Sequence, residues 1–404
     1  MGALAQDNPI WPSLASFLSL PSASSRSALN AAFAALLQTS APNLKDYVWT
    51  ERERPLIAHN QFGDDEMIPV IDMGAFTFVP ADGAMSALER QKAQRSVATQ
   101  MAKASQEWGF FQVTNHGVPE DLIKEMERHA RDFFELLKPE EKRRILRDGN
   151  AGKPMGYACG GAGTRLKSDI PWIESLHLPS MAEEMDGYAW KVWQDGNKDF
   201  RRVVKEFSRA MGRVSMKLIE VLVGELALGQ KEKDGMMRCK VEDGVGSWSS
   251  NSVVRFNYYP PCPQPALTLG LGAHSDPHLL TLLHQDLVGG LQICKDGLWM
   301  AIRPKPNALV VNIGDALQVW SNDVYKSVEH RAVCNSVKPR LSMGFFLNPL
   351  DETIITPLKS SSPLYKPFTW KEYRECMYAH RPRGKSNLLQ FKLLNDQQNK
   401  SNIM

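Results

Sequence analysis

The feature that most constrains the fold of this 404-residue chain is a change of hydrophobic period beyond Asp243. From there short apolar runs follow one another closely: Val253 to Tyr259, Leu279 to Leu283, Leu291 to Cys294, Leu298 to Ile302, Ala308 to Ile313, Val328 to Asn335 and Leu341 to Leu347. Pro260-Pro261, Gly289-Gly290, Asp296-Gly297 and Asn322-Asp323 supply the breaks between them. Many short strands at this spacing predict a jelly roll or barrel.

The preceding half reads differently. Met67 to Met73 is a strand candidate, with Pro69 near its start, where a missing N–H does least harm. Ala84 to Glu107 predicts a helix on the stripe Met85, Leu88, Val97, Met101 and Ala104, closed by Trp108-Gly109. Phe110 to Val113 reads as a second strand ending in the turn Asn115-His116-Gly117, and Pro119 to Leu137 as another helix. The longest helix is expected over Asp199 to Leu228, where Val203, Val204, Phe207, Met211, Val214, Leu218, Ile219, Leu222 and Leu226 recur at helical intervals. Helices first and strands second make an α+β chain around a β core. The expected organisation is a helical extension over 1–66, a helix-rich region over 67–242, the jelly-roll core over 243–350 and a C-terminal helix and tail over 351–404. At the N-terminus, Ser27 before Ala28 to Leu37 reads as an N-capped helix in preference to a targeting segment, because Leu29, Phe33, Leu36 and Leu37 share one face.

Composition narrows the class. Hydrophobic residues at 43% and charged residues at 23% are ordinary for a globular chain. The net charge is only +3, and basic runs such as Glu141-Lys142-Arg143-Arg144 are mixed with acid, so no nucleic-acid partner is expected. No stretch reaches the roughly 18 apolar residues of a membrane helix. The six cysteines contain no C-x-x-C pair, which argues for reduced thiols and against a zinc site or disulfide framework. A cytoplasmic monomer acting on a small molecule is the expectation.

The chemistry centres on His274-Ser275-Asp276. Residues two apart on a strand face one side, so imidazole and carboxylate can meet at one point, and His330 from a distant strand would complete a two-histidine, one-carboxylate set for Fe(II). Spacing alone does not single this pair out. Nine histidines yield roughly half an H-x-D by chance, and His284-Gln285-Asp286 has the same form. Pro277 places His274 and Asp276 at a strand end, which favours them without deciding. His116 and His129 have no companion at ligand spacing and read as structural, and Gly160 to Gly163 lacks the G-K-[ST] ending of a phosphate loop. Arg340 and Ser342, again two apart, form a carboxylate clamp of guanidinium and hydroxyl, or else a surface arginine at a strand start.

Six motifs in this order, Asn257-Tyr258-Tyr259-Pro260-Pro261-Cys262, His274-Ser275-Asp276-Pro277, Val288-Gly289-Gly290-Leu291-Gln292, Asn312-Ile313-Gly314-Asp315, Lys326-Ser327-Val328-Glu329-His330-Arg331 and Arg340-x-Ser342, closely resemble the plant 2-oxoglutarate- and Fe(II)-dependent dioxygenase family. Ile68 to Asp72 and Trp108 to Gly117 resemble its N-terminal region, so the likeness runs from about Tyr47 to Leu388. It implies a double-stranded β-helix core with flanking helices. By motif position it implies His274, Asp276 and His330 as iron ligands and passes over His284 and Asp286. It assigns Arg340 and Ser342 to the distal carboxylate of 2-oxoglutarate, Tyr259 and Asn257 to supporting contacts, and Phe346 to the organic substrate pocket. Asp276 stands where halogenating relatives carry a small residue, so oxidation is expected, using Fe(II), 2-oxoglutarate and O2 with ascorbate as reductant and releasing succinate and CO2.

Ile170 to Leu176 and Leu283 to Asp286 look like gibberellin oxidases, whereas Pro363-Leu364-Tyr365 and Arg383 to Ser386 look like jasmonate-oxidising and flavonoid-type members. The expected reaction is hydroxylation of a gibberellin or related diterpenoid acid, with Arg165 or Lys167 as a counter-charge or simply as a solvated loop. Flavonoid, jasmonate or alkaloid oxidation, an ascorbate-consuming relative and a non-catalytic hormone-binding protein are the alternatives.

Overall fold

The computed structural model describes residues 44–63, 68–77, 86–147, 155–160, 169–193, 195–226, 228–229, 251–358, 362–380 and 386–393. The helix expected over Ala28 to Leu37, Met67, Arg165, Lys167 and Cys239 lie outside them. The other five cysteines are free thiols.

The strands are β1 (Val70–Asp72), β2 (Phe110–Thr114), β3 (Gly156–Cys159), β4 (Glu174–Pro179), β5 (Val253–Tyr259), β6 (Leu269–His274), β7 (Leu280–Gln285), β8 (Leu291–Lys295), β9 (Leu298–Ala301), β10 (Leu309–Ile313), β11 (His330–Val333), β12 (Arg340–Leu347), β13 (Ile354–Ile355) and β14 (Phe368–Thr369). An eight-stranded sheet runs β1-β2-β10-β7-β12-β5-β4-β3 and a four-stranded sheet runs β6-β11-β8-β9. The two sheets form the jelly roll, and the early strands β1 to β4 extend the larger sheet at both ends. β13 and β14 make a separate two-stranded pair.

Three helices cover the outer face of the large sheet: α1 (Ala87–Glu107), α2 (Glu120–Glu135) and α3 (Lys198–Glu225). Strand alternation decides which residues meet them. On β12, Leu341, Met343, Phe345 and Leu347 join the core of Met101, Phe133, Phe207, Met211 and Leu218, while Arg340, Ser342 and Phe346 turn to the other side. Each fully buried Leu, Met or Phe in that layer contributes about 1.5–3 kcal/mol, so the helical face anchors the strands that carry the site.

Helix α1 starts at Ala87, later than the apolar stripe suggests, because Ser86 and Glu89 form a reciprocal capping box: Ser86 Oγ accepts from Glu89 N at 3.3 Å and Glu89 Oε2 accepts from Ser86 N at 2.9 Å. Leu88, counted in that stripe, is exposed, since burial along α1 begins only at Ala98. The strand expected over Val328 to Asn335 is reduced to His330–Val333, and the longest helix runs Lys198–Glu225, ending before Leu228.

Gly109 ends α1 at φ +64°, and a Cβ there would lie 2.2 Å from the Lys326 carbonyl oxygen. Only glycine fits, and the close approach delivers Phe110 to the interior. Farther out, Lys142 is buried with Glu174: its Nζ donates to Glu174 Oε2 at 2.8 Å and to the Phe134 carbonyl at 2.9 Å, and Tyr157 OH donates to the same carboxylate.

Two outcomes follow for urea unfolding. Lys142→Ala leaves a buried carboxylate without its cation and is expected to lose about 3–5 kcal/mol of stability. Gly109→Ala combines a left-handed backbone with a backbone clash and is expected to lose at least about 2 kcal/mol.

Candidate active site

The site lies between the two sheets. Strand β11 is antiparallel to β6 with His330 directly opposite His274, which brings the imidazole centroids to 4.3 Å. Each ring is oriented from behind. His274 Nδ1 donates to the Gly272 carbonyl at 2.8 Å and His330 Nδ1 to the Val328 carbonyl at 3.1 Å, so both Nε2 lone pairs face inward. Phe110 packs edge-on against His330 at 5.3 Å between centroids.

Asp276 arrives by a route that strand alternation does not describe. Strand β6 ends at His274, and Asp276 sits in the turn beyond it. That turn is tied to helix α4 (Asp315–Trp320): the Asp276 carbonyl accepts from Asp315 N at 2.7 Å, and Ser275 Oγ donates to Asp315 Oδ2 at 3.0 Å. Asp276 Oδ2 accepts from Thr281 Oγ1 at 2.6 Å and Asn312 Nδ2 at 2.8 Å. Oδ1 is left toward the histidines, 3.6 Å from His274 Nε2 and 3.7 Å from His330 Nε2.

One ligand atom from each of His274, Asp276 and His330 lies within 4.8 Å of the others, the one such cluster found among the described residues. Burial, followed by the proximity of His330, pulls the His274 imidazole down to about 4, so it stands neutral with a lone pair to give. Burial alone would raise Asp276, but His330, His274, His278 and the Thr281 hydroxyl hold it below the usual carboxylate range. Two imidazoles and one carboxylate on one side of a point fit Fe(II), with further coordination positions open.

The other end of the cavity is built by register. β12 pairs with β5 so that Arg340 faces Tyr259 and Ser342 faces Asn257, which gathers four of the sequence-predicted residues into two adjacent rows. Arg340 is buried, its guanidinium lies 4.9 Å from the Tyr259 ring centroid, and Nη2 donates to Gln285 Oε1 at 3.0 Å. Among the described residues no carboxylate lies at ion-pair distance from it, and its Nε has no partner. A buried cation with no counter-ion and an unused donor fits an anionic ligand. Gly290 lies beside this side chain at φ +121°, where a Cβ would stand 2.7 Å from the Val333 carbonyl oxygen and in ordinary contact with Arg340 Cδ, so the backbone there requires glycine. Phe346 also lines the cavity, as its place on the Arg340 and Ser342 face predicts.

Several lining residues were not singled out from sequence. Thr281 and Asn312 hold Asp276; Asn312 stands within a quoted motif, but its partner became visible only through pairing of β10 with β7. Arg255 lines the cavity too. Two positions before Asn257 on β5, it shares that residue's face, and alternation was the signal that could have found it.

The rival pair does other work. His284 Nε2 lies 3.5 Å from Glu127 Oε2, and Asp286 Oδ2 accepts from Arg131 Nη2 at 2.9 Å and from Leu341 N at 2.6 Å. Both act between α2 and the sheet. His116 and His129 are buried away from the cluster; His116 Nδ1 accepts from Val118 N at 3.1 Å and His129 packs on Phe200.

Comparison with known proteins agrees with this geometry. Residues 250–349 match the 2OG-Fe(II) oxygenase superfamily and residues 68–197 the family described as non-haem dioxygenase in morphine synthesis N-terminal. Gibberellin 20 oxidase 1 of Arabidopsis thaliana is 36% identical over 364 residues, 88% of each chain. Jasmonate-induced oxygenase 2 of the same plant is 33% identical, over 80% of this chain and 82% of the relative. A solved structure, JOX2 in complex with 2OG, Fe and JA, superposes with a TM-score of 0.70 at 29% identity, covering 90% of this chain and 97% of that one. The chain therefore belongs to the 2-oxoglutarate- and Fe(II)-dependent oxygenases, whose chemistry uses Fe(II), 2-oxoglutarate and O2.

Proposed function

We propose that this enzyme hydroxylates a small apolar carboxylic acid, a gibberellin or related diterpenoid acid, in the cytoplasm, as a monomer with no nucleic-acid partner. His274, Asp276 and His330 hold the iron. Arg340 and Ser342 take the distal carboxylate of 2-oxoglutarate, Tyr259 and Asn257 flank it, and Phe346 meets the organic substrate.

The observation that carries the acid is Arg255. It stands opposite Gly344 on β12, between the Ser342 row and the Phe346 row. Its Nε donates to Asn257 Oδ1 at 2.7 Å, and among the described residues no carboxylate lies at ion-pair distance from it. Burial pulls its guanidinium below the ordinary value, with Tyr259 and Asp276 acting the other way. A cation beside the apolar Phe346 and Leu283 suits a molecule with one carboxylate and a hydrocarbon body. The gibberellin-oxidising relatives support a diterpenoid; the solved complex with JA favours a second reading, a jasmonate, which has the same chemistry of one acid on an apolar frame. The counter-charge expected from Arg165 or Lys167 lies outside the described residues, and Arg255 takes its place in this reading.

Iron bound at the three ligands supplies the redox chemistry that couples oxidative decarboxylation of 2-oxoglutarate to oxidation of a C–H bond. The protein's part is placement. Thr281 and Asn312 keep Asp276 Oδ1 turned to the metal position, and the Gly272 and Val328 carbonyls fix the tautomer of both histidines. Arg340 holds one end of the co-substrate, while Arg255 and Phe346 orient the acid. Phe110, Leu271 and Leu291 line the space and keep bulk water from it.

The deciding assay incubates the protein with Fe(II), 2-oxoglutarate and ascorbate against a panel of diterpenoid and oxylipin acids, with mass spectrometry of the products and a succinate assay. Product is expected with equimolar succinate; oxidation without succinate would assign the chain to the ascorbate-consuming class, and ligand binding without oxidation would make it a binding protein. His330→Ala is expected to abolish turnover while leaving affinity for the acid. Arg255→Gln is expected to raise KM for the acid about tenfold or more, the scale of a lost charge-assisted contact, with KM for 2-oxoglutarate changed by less than about twofold. Asn312→Leu and Thr281→Val are each expected to weaken Fe(II) binding about 10–100-fold by titration calorimetry, with the fold unchanged by circular dichroism.

A further inference from the structure

We propose that Gln285 is a positioning residue for the co-substrate: it fixes Arg340 through its amide oxygen and offers its amide nitrogen to the same carboxylate. The inference rests on the assignment of Arg340 to 2-oxoglutarate.

Gln285 is the middle residue of the rival H-x-D motif, and the sheet turns it inward as its neighbours turn out. The pairing of β7 with β12 sets Gln285 opposite Ser342, and Ser342 is itself opposite Asn257 on β5. Three polar side chains thus form one row across three adjacent strands, and all three are buried. A row of this kind inside a jelly roll is costly unless its hydrogen-bonding capacity is used.

The amide orientation follows from its partner. Arg340 has only donors, so the atom that accepts from its Nη2 at 3.0 Å is the Gln285 oxygen, and the nitrogen points elsewhere. That nitrogen is buried and has no partner, and the Nε of Arg340 is in the same condition. Two unused buried donors therefore belong to two side chains already joined by a hydrogen bond. Native interiors rarely leave such groups unmet, and a carboxylate, with about four acceptor positions, would answer both. The Tyr259 ring lies against one side of Arg340, and Gln285 supplies the polar contact that selects its orientation.

A residue that merely packs predicts something different from one that donates to the anion. Gln285→Glu keeps the acceptor for Arg340 and nearly the same shape, but it removes the amide donor and places a resident carboxylate on the guanidinium. Gln285→Met keeps the size and removes both functions. Titration of 2-oxoglutarate into the Fe(II)-loaded protein under anaerobic conditions reads the effect directly, and the KM for 2-oxoglutarate against that for the organic acid gives a second readout. We expect Gln285→Met to weaken 2-oxoglutarate binding about tenfold and Gln285→Glu more than that, with the KM of the acid and the Fe(II) affinity unchanged. Gln285→Glu binding 2-oxoglutarate like the parent protein would overturn the proposal. Arg340→Leu separates the two levels of inference: loss of 2-oxoglutarate there with none in the Gln285 variants would remove only the role of Gln285, whereas normal binding by Arg340→Leu would remove the anchor assignment itself. Urea unfolding of each variant checks that the fold persists.

Discussion

The site depends on the pairing of two short strands. β11 has four residues and β6 has six, and their register sets His330 against His274. A slip of β11 by one residue would turn the His330 imidazole out of the cavity, because side chains alternate across the sheet. The register is held from several directions. Lys326 N bonds to the Ser105 carbonyl at the end of α1, Cys294 N bonds to the Glu329 carbonyl, and Phe110 stacks edge-on against His330. The short strands are precise because long, well-packed elements hold their ends.

Much of this was legible beforehand. The succession of short apolar runs and turns gave the β core, and the helical spacing of Phe207, Met211 and Leu218 gave the long helix that backs it. The placement of Arg340 with Ser342 followed from strand alternation, as did Phe346 on the same face. What escaped were relations between distant residues. Alternation would have put Asp276 on a strand with His274, yet the carboxylate reaches the same point from a turn tied to Asp315. Leu88 fitted the stripe of α1 and is exposed, since a periodic pattern shows which face is apolar but not where a neighbour begins. Arg255 and Gln285 lay in plain view two and zero positions from quoted motif residues, and became notable only when the strands were laid side by side.

The two H-x-D pairs illustrate the same limit in a sharper form. Spacing treats them alike. The structure separates them by direction: His274 and Asp276 converge across the space between the sheets, while His284 and Asp286 face the helical layer and meet Glu127 and Arg131. A ligand pair needs a third donor aimed at the same point, and among the described residues only the first has one, in His330.

Asp286 nevertheless has a bearing on the reaction centre. Its carboxylate accepts from Arg131 on α2 and from the backbone of Leu341, the neighbour of Arg340. The cavity floor and the outer helix are thereby joined through one carboxylate, so the helical coat is more than a cover for apolar surface. It acts as a brace for the strand that carries Arg340, and strain introduced on the outside of the molecule has a direct route to that buried guanidinium.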